Sequence, residues 1–211
     1  QEEVYKLIVE DLLAAEAAGL AWMDLSGRVN LAAAKAQLAR VYLTMAGFPL
    51  NKGASHYKLA ADKALEVITY ANANPGAINL FPTYEDTRRE SNKNRVEHLF
   101  MLQYNAVVEQ NPMGNMFPNF KPVTFNGPGG TGSTVPTLAF YQSYEPGDLR
   151  TKDQDGYFYT TYFTNGSGAR FELGAPYIFK HFNRVALGTS GVPGSRANNL
   201  NVPQIRYAEV L

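Results

Sequence analysis

The sequence predicts a mainly α-helical protein with long loops and a small β-hairpin. Two observations lead to this prediction: an alanine-rich run over 28–68, and a strand–turn–strand pattern over 157–173. Alanine on a buried helix face lets two helices approach closely, so the run predicts an antiparallel helical hairpin. Its apolar positions at helical spacing are Ala32, Ala36, Ala39 and Leu43 before a Gly/Pro/Asn loop, and Ala60, Ala61, Ala64 and Val67 after it.

The spacing in this hairpin approximates a tetratricopeptide unit with a lengthened loop between its helices. The positions that fit the unit are Leu38, Ala39 and Tyr42, then Ala60 and Ala64, then Pro75. Helical repeats of this kind usually bind or scaffold other molecules. The sequence therefore favours a binding function over a catalytic one.

The other predicted elements follow in chain order. An amphipathic helix spans 2–18 and is closed by Gly19, with an apolar stripe of Val4, Leu7, Ile8, Leu12 and Ala15. A short helix and loop are predicted over 84–95, a strand or buried segment over 97–104, and a helix over 138–144. The aromatic run 157–163 predicts a strand whose antiparallel return is 170–173, and the last residues, 204–211, predict a helix.

Composition and charge exclude several classes of function. Nineteen basic and nineteen acidic residues balance, and no basic patch is interleaved with aromatic residues, so nucleic-acid binding is not expected. Zero cysteines exclude disulfides, thiolate nucleophiles and zinc–sulfur sites. No run is apolar and long enough to span a bilayer. The expected fold is one domain over 1–211, with a helical scaffold over 1–75 and a loop-rich binding region over 76–211.

No residue pattern indicates a catalytic or metal site. The three histidines are far apart, and Gly127–Gly132 lacks the lysine of a phosphate-binding loop. Asp153–Gly156 begins like a calcium loop but has no closing glutamate, so a turn is the preferred interpretation and calcium binding stays open. The carboxylates of Glu85, Asp86 and Glu90 alternate with arginines, a pattern typical of a solvated face. We therefore expect neither an enzyme nor a cofactor.

Several blocks along the chain resemble the SusD/RagB family of outer-membrane nutrient-binding lipoproteins of Bacteroidetes. The first block is Gly27–Asn30 with Ala32–Ala34 and Leu38–Leu43, and Tyr57–Ile68 is similar to its partner helix. The later blocks are Asn94–Tyr104, with Glu97, Phe100, Gln103 and Tyr104, then Tyr144 with Gly147–Arg150, and finally Tyr177–Lys180 followed by Pro203–Leu211. The order of these blocks along the chain matches the family.

The resemblance implies a SusD-like α–α superhelix that binds oligosaccharides at the cell surface without cleaving them. It implies delivery of the ligand to a SusC-like TonB-dependent transporter, and an N-terminal lipid anchor that this chain does not contain. Because the chain starts within a helix and stops on an uncapped apolar segment, we expect an internal fragment. A RagB-like peptide receptor and a tetratricopeptide interaction scaffold remain alternatives.

Ligand-site candidates come from local chemistry, because the family has no invariant binding motif. The loop 110–136 is long and rich in Gly, Pro and Asn, which is typical of functional or disordered segments. Aromatic rings among amides suit sugars, although an ordinary aromatic core explains the same composition. The candidates are Phe117, Asn119, Phe120, Phe125 and Asn126, then Trp22, Asp24, Tyr159 and Tyr162. By the resemblance, Asp148, Arg150, Arg206 and Glu209 are structural, in buried pairs that fix helix ends, with a ligand role as the alternative.

Overall fold

The structure, a computed structural model, describes residues 1–105, 107–108, 135–152, 158–159, 162–164, 170–172, 176–178 and 199–211. The chain forms two compact units. Unit 1 consists of Gln1–Phe81, Lys93–Leu102 and Pro203–Leu211, and unit 2 consists of Pro82–Asn92 and Gln103–Val202.

Unit 1 contains three long helices: α1 (Glu2–Ala17), α2 (Leu31–Ala46) and α3 (Ala54–Ala73). Two strands, β1 (His98–Leu102) and β6 (Val202–Arg206), pair beside them, and a 3-10 turn over Tyr207–Glu209 follows β6. The strand predicted within 97–104 is therefore confirmed as β1.

Helices α2 and α3 pack against each other along their length, as predicted. The start of α2 shares a core cluster with the end of α3 through Ala32, Ala36, Val67 and Ala71. The end of α2 meets the start of α3 in a second cluster, which contains Leu38, Val41, Tyr42, Met45 and Ala60. This pairing of opposite ends makes the hairpin antiparallel.

The main core of unit 1 is completed by residues from β1, β6 and the connection after α3. Ile78, Leu99, Ile205, Tyr207 and Val210 are all buried in the cluster with α2 and α3. The peptide N–H of Tyr207 also donates to the carbonyl of Glu97, at 2.8 Å. The last residues of the chain are thus part of the same core as helices α2 and α3.

Two expectations about unit 1 are wrong. The segment 204–211 contains the end of strand β6 and the 3-10 turn after it, not a helix, because β6 pairs with β1. The apolar stripe predicted for α1 is wrong in its first part, since Val4 and Leu7 are 60% and 58% exposed. Leu12 of the same stripe does pack against the second core cluster, together with Tyr5 and Val9, which the stripe did not include.

A cluster of charged side chains joins the three helices. Lys35 of α2 is buried and pairs with Glu16 of α1 and Glu66 of α3. Lys63 lies 2.8 Å from Glu16 and 3.0 Å from Glu66. Burial alone would raise the pKa of Glu16 and Glu66, but hydrogen bonds from the two lysines outweigh it and hold the pKa of each carboxyl below its usual value.

The described residues of unit 2 form short elements: 3-10 turns over Tyr84–Arg88, Glu90–Asn92 and Leu149–Thr151, the helix α4 (Leu138–Gln142), and four short strands. The strands form two antiparallel pairs, β2 (Phe158–Tyr159) with β5 (Tyr177–Ile178), and β3 (Tyr162–Thr164) with β4 (Arg170–Glu172). The predicted hairpin is confirmed in β3 and β4, and the predicted first strand is divided between β2 and β3. The mainly α fold class is confirmed.

One arginine of the segment 84–95 is not solvated as its charge pattern predicts. Arg88 is 6% exposed, and its guanidinium lies 3.2 Å from the Glu85 carboxylate. Arg89, the next residue, is exposed and pairs with Asp86 at 3.2 Å. The solvated-face interpretation therefore holds for Arg89 and is wrong for Arg88.

Candidate functional site

Trp22 stands just before α2 in unit 1, where its ring packs against other parts of the protein. The indole stacks on the Tyr70 ring of α3 with centroids 4.0 Å apart and planes 10° apart. The Lys35 ammonium lies 5.7 Å from the indole centroid. Trp22 also contacts the main core cluster. A large part of its aromatic surface thus serves packing, and its remaining edge lines a shallow groove on α3 with Leu65, Thr69 and Asn74.

Asp24 closes a local turn in the same segment. Its Oδ1 accepts the Ser26 hydroxyl at 2.6 Å and the Ser26 peptide N–H at 2.7 Å. These hydrogen bonds, the hydroxyl first, lower the pKa of Asp24. Such a side chain is held in one orientation, and the contacts described for it are local.

Tyr159 and Tyr162 belong to unit 2, in different strand pairs. Tyr159 is opposite Tyr177 in the β2–β5 pair, and Tyr162 is opposite Glu172 in the β3–β4 pair. The remaining candidates, Phe117, Asn119, Phe120, Phe125 and Asn126, lie outside the described residues. The ligand-site assignment as a whole stays a prediction.

The four polar positions expected to be structural form three ion pairs, each with its own exposure. Arg206 contacts the Glu97 carboxylate at 3.0 Å in the interior of unit 1, and Glu97 also accepts the Phe81 peptide N–H at 2.9 Å. Glu209 pairs instead with Arg40 of α2, and both side chains are 40% exposed or more. The expectation of burial is therefore right in part for the Arg206 pair, in which Glu97 is buried and Arg206 is half-buried, and wrong for Glu209.

Asp148 and Arg150 pair with each other in unit 2. The Asp148 carboxylate accepts the Arg150 peptide N–H at 2.8 Å and so caps the 3-10 turn Leu149–Thr151, as expected of a residue that fixes a helix end. Hydrogen bonds from the Arg150 guanidinium and peptide N–H lower the pKa of Asp148 to about 2. The Arg150 side chain is 52% exposed, so the expectation that this pair is buried is wrong.

This pair lines a polar cleft of about 600 Å³ at the turn that follows α4. We call it the Arg150 cleft, and its lining residues are Ser143, Tyr144, Glu145, Pro146, Gly147, Asp148 and Arg150. The sequence pattern singles out Tyr144 and Gly147–Arg150 as a family block and does not predict the cleft. The feature of the sequence that could have indicated the cleft is a turn motif with Tyr, Asp and Arg within seven positions.

Two features of the described residues bear on the kind of site. No group of three or more His, Cys, Asp or Glu side chains in those residues is arranged to hold a metal ion. None of the helices in the described part of the chain combines the length and the apolar character that crossing a bilayer requires.

Comparison with known proteins shows what the chain is similar to. No family model matches it, and no curated protein matches it. Among solved structures, a SusD superfamily protein from Parabacteroides distasonis is 34% identical, with a TM-score of 0.83 over 99% of this chain. A protein solved with xylogluco-oligosaccharide is 24% identical, with a TM-score of 0.72 over 99%. Surface glycan-binding protein A from Bacteroides thetaiotaomicron is 18% identical, with a TM-score of 0.67 over 99%.

The chain spans less than half of each of these proteins: 44%, 43% and 48% of their lengths, respectively. The similarity to the Parabacteroides distasonis protein extends over almost every residue of the chain, and the more distant structures share the fold. The SusD resemblance found in the sequence is thereby confirmed: this chain is SusD-like over nearly its whole length.

Proposed function

We propose that the protein to which this chain belongs binds oligosaccharides at the cell surface without cleaving them. The observation that supports this proposal is the SusD-like fold over 99% of the chain, together with a solved protein of the same fold in the presence of xylogluco-oligosaccharide. Surface glycan-binding protein A, which also shares the fold, is named for the same kind of ligand.

A binding role without bond cleavage agrees with the chemistry of the sequence. Hydrolysis of a glycosidic bond ordinarily needs two carboxyl groups placed on either side of the bond, with different pKa values. The Asp and Glu residues with lowered pKa in the described residues are committed to ion pairs or to a turn, as in Glu16, Glu66 and Asp24. None of these three has the raised pKa that a general acid requires.

The delivery step and the location belong to the same proposal. In this proposal a lipid anchor outside the present chain holds the protein at the outer membrane, and a SusC-like TonB-dependent transporter takes over the bound oligosaccharide. The balanced charge of the chain fits a role in which neither nucleic acid nor an anionic lipid surface is the ligand. The helical layer of unit 1 would serve as the scaffold.

Phe117, Phe120 and Phe125, with Asn119 and Asn126, are the proposed ligand contacts. Aromatic rings stack on the C–H faces of sugars and amides bond their hydroxyls, so this mixture suits an oligosaccharide. Binding without long-range charge also predicts weak dependence of affinity on ionic strength.

Isothermal titration against neutral and acidic oligosaccharides from plant, host and microbial sources, with a peptide mixture alongside, tests the proposal. We expect saturable binding to at least one oligosaccharide, and at least tenfold weaker binding when Phe117, Phe120 and Phe125 are all replaced by Ala. The control is Phe48→Ala, since Phe48 is 86% exposed on the α2–α3 loop of unit 1. Affinity should stay within twofold of the unaltered protein.

The other outcomes separate the parts of the proposal. Sugar binding that survives the triple substitution keeps the function and moves the site elsewhere. Release of new reducing ends during incubation with the bound oligosaccharide would contradict a role without cleavage. A response to peptides and to no oligosaccharide would replace glycan capture with peptide capture.

A further inference from the structure

A groove on the α2–α3 hairpin of unit 1 is apolar and open to solvent. Its volume is about 410 Å³. It is lined mainly by alanines of the two helices, together with Leu43 and Tyr57, which are 55% and 51% exposed. We call it the hairpin groove, and its residues from α2 and α3 include Ala36, Ala39, Leu43, Tyr57, Ala61 and Ala64.

The hairpin groove exposes positions that the helical spacing predicts to be buried. Leu43 and Ala61 are exposed, and Ala39 and Ala64 are half-buried. Small side chains at a helix surface allow a second helix to approach closely. A single helical repeat cannot bury its apolar face alone, and a neighbouring unit normally completes the core. These positions therefore indicate a surface that another helix covers.

Helix α2 uses other residues to pack against α1. Leu38, Val41 and Met45 belong to the core cluster on which Val9 and Leu12 of α1 pack. None of these three α2 residues lines the hairpin groove. In a helical array, an end that faces solvent carries polar residues, whereas an internal unit is apolar on both sides. The α2–α3 hairpin thus has the character of an internal unit.

The length of the related proteins and the position of Leu211 indicate which segment covers the groove. The chain spans 44% of the Parabacteroides distasonis protein, to which it is 34% identical. Val210 and Leu211 line the hairpin groove, and Leu211 is 66% exposed. In a longer protein, residues that continue from Leu211 therefore start at the groove itself. Consecutive elements usually lie next to each other, because connections are short.

The charged groups of the groove favour a helix over a sugar as its occupant. Arg40 and Glu209 both line the groove and pair with each other, and Arg40 also donates to the Gln204 carbonyl at 3.4 Å. A sugar needs several hydrogen-bond partners to replace the water around its hydroxyls. An amphipathic helix needs apolar contact on one side only, and its polar flank can lie beside the ion pair.

We infer that the hairpin groove is the docking site of an amphipathic helix formed by the residues that follow Leu211 in the longer protein. The apolar stripe of this helix lies against Ala39, Ala61 and Ala64, and its polar flank lies beside Arg40 and Glu209. This inference does not rest on the proposed function. It makes unit 1 an interior section of a larger helical scaffold.

Photo-crosslinking within the purified longer protein tests the inference. Tyr57→p-benzoylphenylalanine places the photoreactive group in the groove, and Phe48→p-benzoylphenylalanine is the matched control, because Phe48 is an exposed aromatic of the same hairpin outside the groove. After irradiation, mass spectrometry of the peptides identifies the crosslinked residues. We expect position 57 to crosslink within one molecule to residues after 211, at least tenfold more than position 48 does.

Thiol labelling gives a second measurement that leaves Tyr57 unchanged. Ala61→Cys lies in the groove, and Ala73→Cys lies on the same helix outside it, and both alanines are exposed in the present chain. In the longer protein we expect maleimide to label position 61 at least tenfold more slowly than position 73. Both substitutions replace exposed alanines, so the variants should fold, and circular dichroism checks this.

The remaining outcomes overturn the inference. Crosslinks between two molecules would assign the groove to a second copy of the protein. Crosslinks from position 57 only to residues up to 211, or to residues that precede Gln1, would assign it to another segment. Equal labelling at positions 61 and 73 would show that the groove stays open. If the photoreactive variant at position 57 does not fold, the thiol pair decides the question alone.

Discussion

The Asn30 side chain has two structural roles, as the cap of a helix and as a hydrogen-bond donor to a strand. Its Oδ1 accepts the Ala33 peptide N–H at 2.9 Å and so caps α2, while its Nδ2 donates to the Leu99 carbonyl of β1, also at 2.9 Å. The side chain is buried, at 3% exposure. Asn30 therefore fixes the start of the helical hairpin relative to the strand pair of unit 1.

We predict that Asn30→Ala lowers the free energy of unfolding by about 2–3 kcal/mol, because it removes a helix cap and leaves a buried carbonyl without its donor. Asn30→Ser keeps a capping oxygen and loses only the bond to Leu99, so we expect about half that loss. Urea unfolding followed by circular dichroism measures both values. Equal losses in the two variants would show that the helix cap contributes nothing, and an unchanged stability of Asn30→Ser would show the same for the bond to Leu99.

Lys35 is the second residue at which one substitution should have a large effect. It is buried between Glu16 and Glu66, so Lys35→Met leaves Lys63 as the cation that pairs with both carboxylates. We expect a loss of about 3 kcal/mol in unfolding free energy, near the low end for a broken buried pair because Glu66 is partly exposed. Lys63→Met, from a more exposed position, should cost about 1 kcal/mol. A smaller loss for Lys35 than for Lys63 would contradict this order.

The same cluster predicts how stability depends on pH. The pKa values of Glu16 and Glu66 are lowered in the folded state from an ordinary value of 4.5. A lowered pKa contributes stability that is fully present above pH 4.5 and is lost as the pH falls below that value, because the unfolded chain then binds more protons. We expect unfolding free energy to decline below pH 4.5, less steeply in Lys35→Met. Identical pH profiles for the two proteins would argue against the cluster as the cause.

At the scale of elements, α1 shows how a helix can present apolar residues on more than one face. Val9 and Leu12 pack against the second core cluster of unit 1, while Val4 and Leu7 are exposed. We predict that Leu12→Ala lowers the unfolding free energy by about 1.5 kcal/mol, and that Leu7→Ala changes it by less than about 0.5 kcal/mol. Urea titration of the two variants, which remove the same atoms from the same helix, makes the comparison. A larger effect at Leu7 would mean that the exposed face is covered in solution.

The elements that the sequence predicted well are those whose pattern has one interpretation. The alanine spacing of α2 and α3 predicts the helical hairpin that is observed, and Ala32, Ala36, Ala60 and Val67 are buried in it. Two other positions of the predicted apolar set are exposed, Leu43 and Ala61. In α1, two overlapping sets of apolar residues fit a helix equally well. The spacing of the apolar residues therefore predicts a helix but does not decide which of its faces is buried. The segment 204–211 is short and apolar, and its strand depends on pairing with β1, far away in the sequence.

The site was harder to predict for a related reason. The resemblance identifies Asp148 and Arg150 as structural polar positions, but a spacing of two residues says nothing about their exposure. The accessible guanidinium depends on Tyr144, which depends in turn on the buried ring of Phe158. These contacts form only when unit 2 is folded, so no local sequence pattern predicts them.

At the scale of the whole molecule, unit 1 depends on residues from both ends of the chain. Removal of 203–211 takes away Ile205, Tyr207 and Val210 from the main core, and the Arg206 partner of Glu97. We predict that the truncated chain loses its cooperative urea transition and binds the dye ANS, as loosely packed states do. Removal of Leu211 alone, which is 66% exposed, should leave the transition unchanged. A cooperative transition in the longer truncation would contradict this dependence.

The pairing of β1 with β6 has a consequence for how this protein can diversify. The chain leaves unit 1 at Leu102 and re-enters it at Pro203, and these positions belong to the two paired strands. The long segment between them is thus a loop whose two ends are held together by the pairing of β1 with β6. The entropy cost of closing a loop changes only slowly with its length. Insertions, deletions or wholesale replacement of this segment should therefore leave the helical layer folded. Unit 1 can in this way carry different binding segments between β1 and β6 without losing its own fold.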